Sequence, residues 1–253
     1  MENSQPSFMD LLLEAHRGLE RQGPGSPEAT RQALGFLGPL ERFARVADLG
    51  CGTGGQTLLL AESLPGSITA LDMFPDFIGR LAKRAAGREC AGRIAGIVGD
   101  MAHLPFQQES LDLIWSEGAI DAIGFENGLR HWHAFLKQDG YVAVTCPSWI
   151  TEEHPAAVDQ FWSGAGVHLH TVAENIESMR HAGYAFIAAF VLPETCWTDN
   201  YFTPRASAIQ DLANRYAHSD VMREYAAINQ QEVALFLKYR QHYGYVFYIG
   251  RAI

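Results

Sequence analysis

The chain is short of cysteine and of positive charge. Only four cysteines occur, Cys51, Cys90, Cys146 and Cys196, and none forms a C-x-x-C pair or a dense disulfide spacing. That argues against a disulfide scaffold or a zinc ribbon and suits reduced thiols. Lysine and arginine total 19 against 29 aspartates and glutamates, a formal net charge of −10. Binding to a phosphate polymer requires a clustered basic face, so no nucleic-acid partner is expected. The one local basic group, Arg80, Lys83, Arg84, Arg88 and Arg93, falls mostly on a predicted helix and reads as a solvated outer face. No apolar run reaches membrane-spanning length, so no membrane partner is expected. Met1–Gln5 carries no basic stretch ahead of the acidic, helix-like Phe8–Glu14. The expectation is therefore a cytoplasmic protein without a secretory leader. Neither an internal repeat nor a low-complexity tract is present, and the sequence sets no oligomeric state.

What the chain does have is 253 residues that are 47% hydrophobic and 19% charged, with 24 glycines. That length and balance fit one α/β domain with a cap. The expectation is a single domain over 1–253: a helical cap at 1–40, a ligand-binding core at 41–150, and a substrate-side half at 151–253. Within the last, a helical insertion of about 194–242 precedes the final strand. Helices are predicted near Phe8–Leu19 and after Ser26, which can cap a helix opened by Pro27. Strands are predicted around residues 45–49, at Ile68–Leu71, Ile94–Val98 and Leu111–Trp115, and at Tyr141–Cys146, closed by Pro147. Helical spacing of Phe77, Ile78, Leu81 and Ala85, and of Phe125, Leu129, Trp132 and Leu136, alternates with them. Beyond lie a helix at Thr171–His181, a strand at Tyr184–Leu192, helices at Arg205–Tyr216 and Asp220–Tyr243, and a strand at Tyr245–Ile249. This alternation predicts a doubly wound, mainly parallel sheet of seven strands, with the N-terminal helices and the insertion as a lid.

The run Val46-Ala47-Asp48-Leu49-Gly50-Cys51-Gly52-Thr53-Gly54-Gly55-Gln56 reads as a buried strand, a glycine turn and a helix start. A nucleotide-like ligand sits at such a turn in a Rossmann-type sheet. Two spacings are satisfied at once. Gly50, Gly52 and Gly55 give the dinucleotide pattern G-x-G-x-x-G, whereas Asp48, Gly50, Gly52 and Gly54 give the acidic-x-G-x-G-x-G pattern of S-adenosylmethionine (SAM) enzymes.

Three downstream segments separate the two. Asp72 follows the second strand, Gly99-Asp100-Met101 the third, and Ser116-Glu117-Gly118 the fourth. On these residues the chain resembles the class I SAM-dependent methyltransferases, especially the small-molecule branch that includes quinone-biosynthesis enzymes, over about residues 40–150. The resemblance implies a Rossmann-like fold and SAM as methyl donor, with S-adenosylhomocysteine (SAH) as product. It also implies that Asp48, Gly50, Cys51, Gly52, Thr53 and Gln56 surround the methionine part, Asp72 holds the ribose with Met73 beside the adenine, and Asp100 and Met101 meet the base. Ser116 and Glu117 would lie near the transferred methyl.

Methyl transfer is an in-line displacement from an activated sulfonium, so proximity and alignment can supply most of the acceleration. A base is needed only for a nucleophile that arrives protonated. Glu117 is the first candidate, followed by Asp121, His154, His168 and His170. His168-Leu169-His170 has ligand-like spacing but no evident partner, so no metal is expected. Trp149, Trp197 and Tyr201 could form aromatic walls for a small-molecule acceptor, or could be lid packing. Two alternatives stay open: an NAD(P)-dependent oxidoreductase, and a non-catalytic SAM-binding partner or sensor.

Overall fold

The structure is a computed structural model, and it describes residues 5–253. Eight strands form one sheet: β1 (Arg45–Leu49), β2 (Ser67–Asp72), β3 (Ile94–Val98), β4 (Leu111–Glu117), β5 (Leu136–Trp149), β6 (His170–Thr171), β7 (Tyr184–Val191) and β8 (Tyr243–Ala252). Seven of them run in the order β3-β2-β1-β4-β5-β8-β7, and the two-residue β6 pairs with the end of β5. The strands from β3 to β5 pair in parallel, whereas β8 runs antiparallel between β5 and β7. The expected mainly parallel sheet of seven strands is thus present, with β6 as a small addition.

Side-chain alternation explains why both faces are covered. Val46, Leu113, Trp115, Ala143, Phe247 and Ile249 enter one apolar cluster. Their strand neighbours Ala47, Leu49, Ile114, Val142, Val144, Val246 and Tyr248 enter the other. Helix starts follow local chemistry. Ser7 and Asp10 form a reciprocal capping box for the helix Phe8–His16, Ser26 caps Pro27–Leu34, and Thr171 with Glu174 boxes Val172–His181. Phe8–His16 then packs against Thr203–Arg215 and Asp220–Tyr239, where Leu11, Ala15, Leu212, Met222 and Tyr225 make a small core of their own. The N-terminal helix and the insertion are therefore joined to each other.

Three expectations need correction. β5 does not close at Pro147 but continues to Trp149, with Pro147 opposite Tyr245. Pairing with β4 has stopped at Thr145, so the missing N–H falls where one neighbouring strand has ended. A helix at Ala156–Gly164 follows, an element absent from the sequence-based expectation. Finally, Arg84 and Arg93 are half-buried rather than part of a free outer face. Arg84 donates to the carbonyls of Glu20 and Thr53, and Arg93 to those of Ala61, Leu64 and Gly66, so both serve as chain ties.

Candidate active site at the strand ends

The glycine loop leaves β1 at the carboxyl edge of the sheet and delivers the chain to the helix Gly55–Ser63. Gly50 and Gly52 have φ of +71° and +56°, conformations that L side chains avoid. A Cβ on Gly50 would strike Ala119, and one on Gly52 would strike the Gln22 amide. The loop is therefore pressed between the β4 exit and the N-terminal segment, with bare backbone facing the space between.

That space is a cleft of about 240 Å³. It is bounded by Gly50, Gly52 and Gln56 from the loop, Asp72 and Met73 after β2, and Asp100 and Met101 after β3. Glu117 and Asp121 come from the β4 exit, and Arg21 and Gln22 from the N-terminal segment. Asp72 accepts the Gly52 amide at 2.8 Å and the Phe74 amide at 3.0 Å, which fixes the carboxylate while leaving lone pairs toward the cleft. Burial raises its carboxyl pKa, against the lowering effect of those amides. Asp100 accepts the Ala102 amide at 2.8 Å and approaches His103 Nδ1 at 3.0 Å, contacts that lower its pKa. Met73, 64% exposed, offers an apolar rim.

Other residues expected at the site stand behind it. Asp48 is fully buried, accepts Thr57 Oγ1 at 2.5 Å and Gln56 Nε2 at 3.3 Å, and burial pushes its pKa up to about 7. Its place is to brace the loop and the following helix. Cys51 packs with Leu58, Ala70 and Leu81, and burial raises its thiol pKa, so it is an apolar filler. Ser116 is buried and donates to the Leu49 carbonyl at 2.8 Å. Thr53 donates to the Leu19 carbonyl at 2.8 Å and faces the N-terminal segment.

Glu117 lines the cleft, yet both its oxygens are occupied. Arg21 Nη1 donates to Oε2 at 2.5 Å, while Thr30 Oγ1 and Trp115 Nε1 donate to Oε1 at 2.7 and 2.9 Å. Three donors on one carboxylate describe an anchor rather than a free base. Sequence reasoning missed Arg21 and Gln22. Gln22 accepts the Thr53 amide at 2.9 Å and donates to Thr53 Oγ1, so it straps the N-terminal segment across the loop. Only the unassigned polar pair between two predicted helices could have pointed to them.

The aromatic candidates lie elsewhere. Trp197 is 1% exposed and stacks on Phe236 at 4.4 Å, and Tyr201 accepts from Arg205 Nη1 in the buried insertion. Trp149 is buried with His154 stacked on it at 4.5 Å. None of the three lines the cleft: Trp197 and Tyr201 are spent on the packing of the insertion, and Trp149, at the end of β5, packs with His154 and Tyr243. His168 and His170 line a neighbouring cleft described below. Among the described residues no three His, Cys, Asp or Glu side chains gather as a metal-ligating group. Nor is any described helix long and apolar enough to cross a membrane.

Known proteins align with this geometry. Residues 46–140 match the family model described as a methyltransferase domain. Malonyl-[acyl-carrier protein] O-methyltransferase of Dechloromonas aromatica is 33% identical over 175 residues, which cover 68% of this chain and 57% of that one. Phosphoethanolamine N-methyltransferase of wheat, Triticum aestivum, is 26% identical over 170 residues, covering 65% of this chain and 32% of that one. The match thus spans about a third of the wheat protein and little more than half of the bacterial one. Among solved structures, a SAM-dependent methyltransferase from Thiobacillus denitrificans in complex with SAH superposes with a TM-score of 0.79 at 21% identity, over 98% of this chain and 99% of that one. Residues 46–140 thus match a methyltransferase domain, and the whole chain has the Rossmann-like fold of the Thiobacillus denitrificans SAM-dependent methyltransferase. The resemblance drawn from Asp72, Asp100 and the β4 exit is borne out.

Proposed function

We propose that the protein transfers the methyl group of SAM to a small-molecule acceptor, working as a single cytoplasmic domain without nucleic acid or membrane as partner. The observation that carries this reading is the convergence of the glycine loop, Asp72 and Asp100–Met101 on one cleft at the ends of β1, β2 and β3. The bare backbone of Gly50 and Gly52 fits a flexible chain bearing charged groups, with Gln56 as a further polar contact. The fixed Asp72 carboxylate fits a pair of vicinal hydroxyls, and Asp100 with Met101 fits an amino-bearing flat ring. Bound there, SAM supplies a methyl on a positive sulfur, activated without help from the protein.

The remaining work of the chain is positioning and the exclusion of water. Arg21, pinned by Glu117, closes the cleft from the N-terminal side, and Gln22 keeps that segment against the loop. Glu117 in this reading positions Arg21 and Trp115 rather than moving a proton. Trp149, Trp197 and Tyr201 stabilise the walls from behind. The cap at 1–40 and the insertion of about 194–242 share a core, so they would act as one cover over the 41–150 half. A nicotinamide enzyme has no use for an acid and an apolar residue together after the third strand.

Calorimetric titration with SAM, SAH and NADH tests the reading. Micromolar binding of SAM and SAH is expected, together with transfer of label from methyl-labelled SAM to products in a metabolite extract. Binding of NADH without SAM would overturn it, and SAM binding without any labelled product would favour a sensor.

A further inference from the structure

The β4 exit has a second cleft on its far side. This one, of about 450 Å³, is lined by Asp121–Asn127, by Cys146 and Pro147 from β5, by Gly166, Val167, His168 and His170 near β6, and by Asn175 and Ser178 from the helix behind. Asp121 and Ala122 belong to the walls of both clefts. The two clefts therefore adjoin at these residues.

Asp121 Oδ1 is buried and has no hydrogen-bond partner. Burial also lifts its carboxyl pKa to about 6. The carboxyl's own backbone amide is a donor to it, but a buried carboxylate oxygen left without a partner is costly, and a fold seldom carries one without a use for it. Asn175, by contrast, is spent on Ser148 and Tyr248 at 3.1 Å each. Among the described residues, the lysine-free and arginine-free lining of the cleft favours negative charge. Asp121 and Glu126 are its acids, His168 and His170 its only other titratable groups besides Cys146, and among the described residues no lysine or arginine lines it. Arg21, on the cofactor side, is committed to Glu117. A carboxylate or phosphate entering the second cleft would find no lysine or arginine as counter-ion, whereas an ammonium would meet Asp121.

We propose that the second cleft is the acceptor pocket, that it takes small amines, and that Asp121 accepts the proton an incoming ammonium must lose. This rests on the methyl-transfer reading above. In the step, the Asp121 carboxylate takes a proton from R–NH3+, and the freed lone pair forms a bond to the methyl carbon of SAM. The S–CH3 bond breaks with its electron pair remaining on sulfur. The products are a methylated ammonium and neutral SAH, and Asp121 returns its proton to solvent. The groups facing Asp121 from the packed elements are Cys146 on β5 and Tyr245 on β8, both kept protonated by burial, with Glu126, His168 and His170 along the cleft.

The test uses the full chain loaded with SAH. Calorimetry compares 2-phenylethylamine and ethanolamine with phenylacetate and glycolate. The amines are expected to bind at least about tenfold tighter than their carboxylate counterparts, with the preference lost in Asp121→Asn and retained in Asp121→Glu. With labelled SAM, the better amine is expected to be methylated. The Asp121→Asn variant should lose about 100-fold in kcat/KM, along with the acid limb of the pH profile. SAH binding with no amine preference, or with carboxylates preferred, overturns the amine assignment alone. An Asp121→Asn enzyme with wild-type turnover and pH profile overturns the role of Asp121. Failure to bind SAH overturns the methyl-transfer reading and this inference with it.

Discussion

Replacing Arg21 by methionine should cost far more than the loss of one ion pair on a protein surface. The Arg21 and Glu117 side chains are 7% and 3% exposed, and they meet at 2.5 Å. In Arg21→Met the Glu117 carboxylate stays buried with only Thr30 and Trp115 as donors. Removing one partner of a buried pair costs about 3–5 kcal/mol, mostly the penalty of the stranded charge. Glu117→Gln strands the guanidinium less severely, because Thr30 still accepts from Arg21 Nη2 at 3.0 Å. The double variant carries no stranded charge and keeps an acceptor for Thr30 and Trp115, so it should lie only about 1–2 kcal/mol below the parent. Urea unfolding followed by circular dichroism at 222 nm on all four proteins gives the coupling energy directly. A coupling of about 2 kcal/mol or more is expected. A single-variant cost under about 1 kcal/mol, the value of an exposed pair, or strictly additive effects would refute the assignment of this pair as the tie between the N-terminal segment and the β4 exit.

Asp72→Asn should weaken SAH binding at least tenfold while leaving the unfolding midpoint within about 1 kcal/mol of the parent, because an amide oxygen still accepts one of the two backbone donors; unchanged SAH affinity by calorimetry removes Asp72 from the ribose role. For Asp48, the folded pKa of about 7 lies above the unfolded value near 4, so the folded state binds the extra proton between those limits. Its contribution to stability is therefore greatest below about pH 4 and declines by up to about 4 kcal/mol as pH rises to 7. Asp48→Asn should flatten that slope, and matched slopes for the two proteins between pH 4.5 and 7.5 would contradict the burial argument. Trp197→Ala should destabilise by about 3–5 kcal/mol with SAH affinity unchanged, since the ring packs against Phe202, Phe236 and Tyr245; a small stability loss with a large activity loss would return it to the substrate side.

The features legible in the sequence were those set by local chemistry. The order of strands and helices follows from apolar periodicity, Ser26 and Pro27 mark a helix start, and Gly50 and Gly52, both with positive φ, sit where the turn demands them. Asp72, Asp100 and Met101 were legible because their positions after successive parallel strands bring them to one edge of the sheet. What stayed hidden depends on contacts between distant segments. Arg21 and Glu117 are 96 residues apart, and neither carries a local signal of the other. The aromatic residues misled for a related reason. A tryptophan reads the same in sequence whether it lines a ligand or a helix pair, and only the packing of Trp197 on Phe236 decides. Pro147 misled because a strand break and a strand that outlasts its neighbour look alike until the sheet is assembled.

The position of β8 bears on how the chain reaches this state as it leaves the ribosome. Tyr243–Ala252 inserts between β5 and β7, pairing with nine residues of the first, from Tyr141 to Trp149. Until Tyr243–Ala252 emerges, β7 has no place in the sheet and the long edge of β5 carries open hydrogen-bonding groups and uncovered apolar side chains. Synthesis of this chain thus passes through a stage in which most of the core is available but its sheet has an adhesive edge. Ribosomes stalled before Tyr243–Ala252 has emerged would display a species that binds chaperones and pairs with its own kind, and docking of β8 would end that exposure in a single event.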